Sequence, residues 1–232
     1  MVQTASKPER DLASSTRIII PTYGTQSALD SLLEELPSVW LNRCIVVDDG
    51  SPVPIRAPEA VKIIRHPQNL GYGAAQKSGY CLALDDKPKY ILMIHGDNQY
   101  SVSHSLLLLS HLKDADIVLG SRHLWPQSTH YPAWRKTGNR LLTRLSNWRF
   151  KRQHTDLHSG ARAYTSKALN TLDFDSFSDS YLFDQQLLLS AFKKNMRLAE
   201  CPMPPKYDET VLRIAFVPAL RYALGCLLLN LR

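Results

Sequence analysis

Acidic residues stand at two places where short apolar runs break off. Residues 44–47, Cys-Ile-Val-Val, deliver Asp48 and Asp49 into the turn Gly50-Ser51, and residues 90–94 end in His95-Gly96-Asp97-Asn98-Gln99. Asp and Gly are also what ordinary turns prefer, so neither motif speaks alone. In an open α/β sheet, however, ligands lie outside the carboxyl ends of the strands, and two acid-bearing ends line one crevice. Between them, Asn69-Leu70-Gly71-Tyr72-Gly73 opens a helical segment carrying Lys77. Backbone N–H groups at a helix start favour anions, and small residues admit a diphosphate. Because the spacing is neither a dinucleotide fingerprint nor a P-loop, a structural turn is an equal alternative.

Charge points to a second anionic partner. From residue 117 to residue 155 the chain carries eight Lys or Arg and no acid. Phosphate charge developing on a leaving group is best met by preorganised cations, and Arg122, Arg135 and Arg162 are the candidates, with Lys136 and Arg140 behind them. A hydroxyl acceptor would also need a general base, whereas a phosphate acceptor arrives ionised. Asp184 is the one acid placed for that role, and it equally suits a helix start where an acid complements the dipole.

The elements that must position these residues alternate. Strand-like runs at 17–20, 44–47, 61–64, 90–94 and 116–119 are separated in part by helical spacing at 27–36, 74–84 and 103–112, which argues for an α/β fold with a mostly parallel, doubly wound sheet. Beyond residue 121 the pattern gives a long basic helix over 134–150, a short strand near 161–164, a helix near 181–192 and a basic apolar tail. The chain divides into an N-terminal arm, 1–15, expected to be disordered; a single domain, 16–210; and a basic amphipathic tail, 211–232. At 232 residues and 44% hydrophobic it can bury one full core. Its four scattered cysteines have no metal-ligand spacing, and the arm has no apolar run, so a cytosolic protein without a secretory signal is expected.

The ordered set Ile20-Pro21-Thr22-Tyr23, Val47-Asp48-Asp49-Gly50-Ser51, Asn69-Leu70-Gly71, Gly96-Asp97-Asn98-Gln99 and Gly120-Ser121-Arg122 resembles the inverting family 2 glycosyltransferases with the GT-A fold. Arg135-Lys136-Thr137-Gly138-Asn139-Arg140, the segment from His158 to Tyr164, and Phe183-Asp184-Gln185-Gln186 resemble the branch of dolichyl- and polyprenyl-phosphate sugar synthases. The resemblance implies a nucleotide-diphosphate sugar donor, a divalent cation (Mg2+ or Mn2+), and inversion at the anomeric carbon. It places the donor against Pro21, Thr22, Tyr23, Asp48, Asp49, Asn69, Gly71, Lys77 and Gly96, and gives Asp97 the metal and Gln99 the sugar or acceptor. The family's Asp-X-Asp is altered, with His95 in the first position. That histidine is either a nitrogen ligand favouring Mn2+ or a packed side chain at a strand end.

A lipid-phosphate acceptor follows from the surplus of cations and the missing base, with a soluble or glycan hydroxyl as the alternative. The helices at 134–152 and 212–232 combine leucines and cations without acids, and suit an anionic membrane surface at its cytoplasmic face, approached peripherally. A membrane-protein partner or a second copy of the chain is a further candidate. A non-catalytic basic module is suggested by the net charge of +7, but the chain lacks nucleic-acid-binding signatures, so no nucleic acid is expected.

Overall fold

In the computed structural model, residues 6–125, 133–204, 206 and 216–231 are described. Seven strands form one sheet: β1 (Thr16–Thr22), β2 (Cys44–Asp48), β3 (Lys62–Arg65), β4 (Tyr90–Met93), β5 (Ile117–Ser121), β6 (Arg162–Thr165) and β7 (Leu198–Pro202). Their order is β3-β2-β1-β4-β6-β5-β7. All neighbours are parallel except β6, which runs antiparallel to both β4 and β5. The strand order reverses beside β1, and the carboxyl ends of β1, β2 and β4 open together, with Ile20 opposite Val46 and Ile19 opposite Met93. A crevice at such a switch point is where an open α/β sheet binds ligands.

The strands read as unbroken apolar runs because both faces of the sheet are covered. Ile18, Ile20, Val46 and Leu92 pack against α2 (Gln26–Glu35) and α5 (Val102–His111) through Leu29, Leu32, Leu108 and Leu109. Ile19, Ile45, Val47 and Ile91 face the other way, toward Tyr80, Phe183, Leu187 and Leu188 of α4 (Tyr72–Asp85) and α8 (Leu182–Lys193). Short helices α3 (Ser38–Leu41) and α7 (Ser166–Thr171) complete the body, while α6 (Ala133–Phe150) and α9 (Phe216–Leu231) pack against each other.

The arm expected to be disordered is ordered from Ser6 onward as α1 (Lys7–Ser14). Ser6 accepts a hydrogen bond from the Glu9 N–H, Pro8 sits in the first turn, and Glu9 accepts a hydrogen bond from Trp40 Nε1 at 3.4 Å. The polar sequence concealed a Ser-x-x-Glu helix start. Three further elements escaped the sequence reading: the one-turn α3, β7, a half-buried edge strand ending at Pro202, and α7, which Thr165 caps by accepting from the Ala168 N–H at 3.1 Å.

Candidate functional site

The crevice floor is built by strand ends gripping each other. The Asp49 N–H donates to the Thr22 carbonyl at 2.9 Å, and the Gly96 N–H donates to the Pro21 carbonyl at 3.0 Å. The Gly24 N–H donates to Ser51 Oγ at 2.8 Å, and Thr25 Oγ1 donates to the Gly96 carbonyl at 3.2 Å. Pro21, Thr22 and Gly96 therefore contribute backbone to the floor. Tyr23 stands at the rim, 46% exposed, and Asn69 is also exposed.

The paired acids turn inward. Asp48 is buried; its carboxylate accepts from the Ser51 N–H at 2.8 Å and the Ile55 N–H at 3.2 Å and pairs with Arg65. Burial pushes this carboxyl up, but the hydrogen bonds from Ser51, Ile55 and Arg65 outweigh it and hold the pKa below its usual value. Asp49 accepts from His66 Nδ1 at 2.7 Å and from the N–H groups of Leu70 and Gly71 at 2.9 Å each. His66 is fixed in turn by Ser78 at 2.9 Å. Asp48 and Asp49, expected as direct donor contacts, fold the two loops that wall the crevice.

The expected diphosphate cradle is likewise filled by the chain itself. At the start of α4 the Gly73 and Ala74 N–H groups donate to the Asp179 carbonyl at 2.7 and 3.3 Å. Gly71 adopts φ +110°, and a Cβ there would lie 2.4 Å from the same carbonyl oxygen. Lys77 Nζ donates to the Asp175 carbonyl at 3.0 Å, to the Phe177 carbonyl and to Asp179 Oδ1 at 2.9 Å. The glycines and Lys77 thus seat the loop before α8, and the amides at this helix start are spent there.

Behind this loop lies a polar chain that sequence reasoning did not foresee. Asp184, 7% exposed, accepts from Gln76 Nε2 at 2.9 Å and from the Tyr72 hydroxyl at 3.0 Å, and its Oδ2 lies 3.5 Å from Arg162. Tyr72 also lies 3.0 Å from His95 Nε2 and stacks on that ring, with centroids 5.3 Å apart. With the phenol proton given to Asp184, His95 must donate from Nε2, which then offers no lone pair to a cation. Gly160 leaves room for this imidazole: a Cβ there would fall 1.8 Å from Nε2. Burial and the Asp184 carboxylate raise the Tyr72 phenol well above its usual pKa, keeping it protonated. The packed reading of His95 is compatible with this arrangement, and the ring's remaining lone pair is on Nδ1.

The arginines expected as phosphate clamps are held by the fold. Arg162 is 1% exposed, donating to the carbonyls of Ser159 at 3.0 Å, Asp184 at 3.1 Å and Leu157 at 3.4 Å. Burial works against its charge, and Asp184 more than restores it. Arg122 donates to both oxygens of buried Asp156, at 2.7 and 3.0 Å. Burial raises the Asp156 carboxyl, but Arg122 prevails and brings its pKa down to about 2. The side chain of Arg135, on α6, lies outside the described residues.

Asp97 and Gln99 remain turned to the opening. Asp97 is partly exposed and oriented by Gln99, whose N–H and Nε2 donate to it at 3.2 and 2.5 Å. Tyr181 is close enough that, after burial, the Asp97 charge raises its phenol pKa, and its ring stacks on Tyr72 at 5.1 Å. Among the described residues no three His, Cys, Asp or Glu gather into a metal cage. A lone oriented carboxylate fits a hard cation that takes its other oxygens from a diphosphate and water.

Comparison with known proteins agrees with this geometry. Residues 17–173 match the model of glycosyl transferase family 2. The undecaprenyl-phosphate mannosyltransferase of Micrococcus luteus is 27% identical over 202 residues, 80% of this chain and 81% of that one. The UDP-N-acetylglucosamine–dolichyl-phosphate N-acetylglucosaminyltransferase of Methanococcus voltae is 24% identical over 215 residues, 83% of this chain and 86% of that one. Among solved structures, glucosyl-3-phosphoglycerate synthase from Mycobacterium tuberculosis, in complex with Mn2+ and UDP-glucose, superposes with a TM-score of 0.72 at 16% identity, covering 98% of this chain and 84% of that one. That likeness shows the GT-A fold. The chain belongs to glycosyltransferase family 2.

Proposed function

We propose that this family 2 glycosyltransferase moves a sugar from a nucleotide-diphosphate donor to a polyprenyl phosphate, with inversion and a divalent cation, at the cytoplasmic face of a membrane. The observation that carries the acceptor is Asp184. A general base must reach the proton it removes, yet both oxygens of this carboxylate are engaged, by Gln76, Tyr72 and Arg162, and it is almost fully buried. A phosphate nucleophile needs no such base. The polyprenyl-phosphate substrates in the names of the two relatives support the same choice.

In this reading Tyr23 lies against the donor base, Asp97 holds the cation, and Gln99 fixes that carboxylate. Mg2+ or Mn2+, when bound, would neutralise charge on the departing diphosphate. Asp48, Asp49 and Arg65 keep the walls in place so that the donor enters a preorganised crevice.

Support for the membrane comes from α6 and α9. Trp134, Arg140, Leu141, Arg144 and Trp148 share the outer face of α6, Lys151 follows its last turn, and Trp148 is 80% exposed. On α9, Leu220, Arg221, Leu224, Leu227, Leu228 and Leu231 face outward, while Cys226 and Asn230 face in. Leucines and tryptophans mixed with cations suit an anionic lipid interface. No helix among the described residues is long and apolar enough to cross a membrane.

The test is a panel of nucleotide sugars with Mg2+ or Mn2+, read as release of nucleoside diphosphate. Release that depends on added polyprenyl phosphate supports the reading. Equal release with a soluble glycan in its place would transfer the proposal to a hydroxyl acceptor.

A further inference from the structure

Away from the crevice, a concavity lies between the turn at Arg122–Leu124, α6 and the segment that follows it, lined by His123, Arg140, Thr143, Arg144, His154 and Thr155. It adjoins the site network only from behind, through Thr143, which accepts from the Leu157 N–H, and Thr155, which shares Glu200 with Asp156. The acids beside it are satisfied by their own chain. Asp156 is held on both oxygens by Arg122, and Glu200 accepts from the Thr155 N–H at 2.8 Å, the Asp156 N–H at 2.8 Å and the Thr155 hydroxyl at 3.0 Å. Glu200 also lies 3.7 Å from His154 Nδ1.

The donors on the opposite wall have no such partners. Arg140 and Arg144 are exposed, one turn apart on α6, and among the described residues neither side chain makes a hydrogen bond or ion pair. His123 Nε2 is buried with no hydrogen-bond partner. Thr143 Oγ1 accepts from the Leu157 N–H at 3.4 Å, which leaves its own proton to give. Burial holds His123 below its usual pKa, with Arg122, Arg140 and Lys136 acting in the same direction against Asp156, so a neutral ring sits beside the arginines without opposing them. Buried polar groups in folded proteins are nearly always paired, and an orphaned imidazole nitrogen in one concavity with two guanidinium groups that have no partner among the described residues lacks only an acceptor.

We infer that this concavity is a second anion site, built for a phosphate-type dianion held by Arg140 and Arg144 with His123 and Thr143 as further donors. Two forked guanidinium groups match tetrahedral phosphate oxygens, which accept several charge-assisted hydrogen bonds at once. The dianion has two possible sources, a phosphomonoester lipid headgroup or free phosphate and diphosphate. Only the lipid source rests on the membrane reading above, because Arg140 and Arg144 also belong to the outer face of α6.

The test uses the full chain and two probes. Inorganic phosphate is titrated by calorimetry without lipid, and vesicles of phosphatidylcholine with phosphatidic acid are compared with vesicles carrying phosphatidylglycerol at equal surface charge. For the double variant Arg140→Gln, Arg144→Gln we expect phosphate affinity to fall by about tenfold or more, since charge-assisted bonds are lost. His123→Leu should lose less. Lys151→Gln, which removes an exposed cation just past the end of α6 and outside the concavity, should bind phosphate as the parent does, and equal thermal midpoints confirm that the variants fold. A preference for phosphatidic acid over phosphatidylglycerol, lost in the double variant, identifies the lipid headgroup; phosphate binding without that preference identifies the free anion and leaves the inference standing even if the membrane reading fails. The inference is overturned if the double variant binds both probes like the parent, or if Lys151→Gln weakens phosphate binding equally.

Discussion

The two halves of this molecule treat charge in opposite ways. Around the strand ends the acids sequence analysis singled out are held by their own chain, Asp48 by Ser51, Ile55 and Arg65, Asp49 by His66 and the 70–71 backbone, Asp184 by Gln76 and Tyr72, and of these four acids only Asp97, held by Gln99 alone, is left partly exposed. On α6 and around the concavity beside it, the side chains of Arg140 and Arg144 have no partner among the described residues, and Leu220, Leu224, Leu227, Leu228 and Leu231 of α9 face outward. Charges satisfied internally hold a crevice in one shape before anything binds. Charges left open on a surface await something with the opposite charge.

The comparison breaks first at Asp97, the crevice acid still turned to the opening. Asp97→Ala should lower turnover roughly a thousandfold with an unchanged thermal midpoint, because a carboxylate facing developing phosphate charge acts in the transition state. Turnover within a few-fold of the parent would remove Asp97 from the metal role. Asp156→Ala should act in the opposite sense, on the fold. Leaving Arg122 uncompensated in a largely buried site costs about 3–5 kcal/mol, measurable by urea titration, and activity should be lost only in proportion to the unfolded fraction.

His158 sharpens the picture through pH. It lies 2.8 Å from the Tyr222 hydroxyl of α9, and burial brings its pKa from 6.5 down to about 4. The unfolded chain takes up this proton near pH 6.5 and the folded chain only near pH 4, so stability should fall as pH drops through that window, by up to about 3 kcal/mol from this group. Below it the contribution is constant. In His158→Gln that slope should vanish from urea titrations at pH 7.5, 6 and 4.5; an unchanged slope would move its origin elsewhere. The smallest effect is expected of Lys77→Met. If the lysine grips the 175–179 loop, donor KM should change by less than about twofold while stability drops by about 1 kcal/mol. A tenfold rise in KM would return Lys77 to the diphosphate.

Where local pattern and burial agree, as in β1, β2, β4, α2 and α8, the sequence was sufficient, because strands covered on both faces must be apolar throughout. The antiparallel insertion of β6 between β4 and β5 left no local trace, since pairing partners are set by the whole sheet. At the site, motif positions were legible but the direction of each side chain was not. Asp49 and Asp184 sit at motif positions as expected, yet they are turned into the protein, and their partners His66, Tyr72 and Gln76 come from other segments of the chain. Asp156, three residues before Ser159-Gly160, carried a signal in hindsight: it is the first acid after the long basic run, and buried Arg122 required one.

The central claim is that the acceptor is an anion needing no base. It is tested most directly by offering the enzyme, with its nucleotide sugar and cation, a short-chain polyprenyl phosphate and the corresponding free polyprenol at equal concentration, and measuring glycosylated product from each. The engaged carboxylate of Asp184 predicts transfer to the phosphate, with none to the alcohol. Transfer to the alcohol at a comparable rate would contradict it, requiring a working base other than Asp184, which is bound on both oxygens.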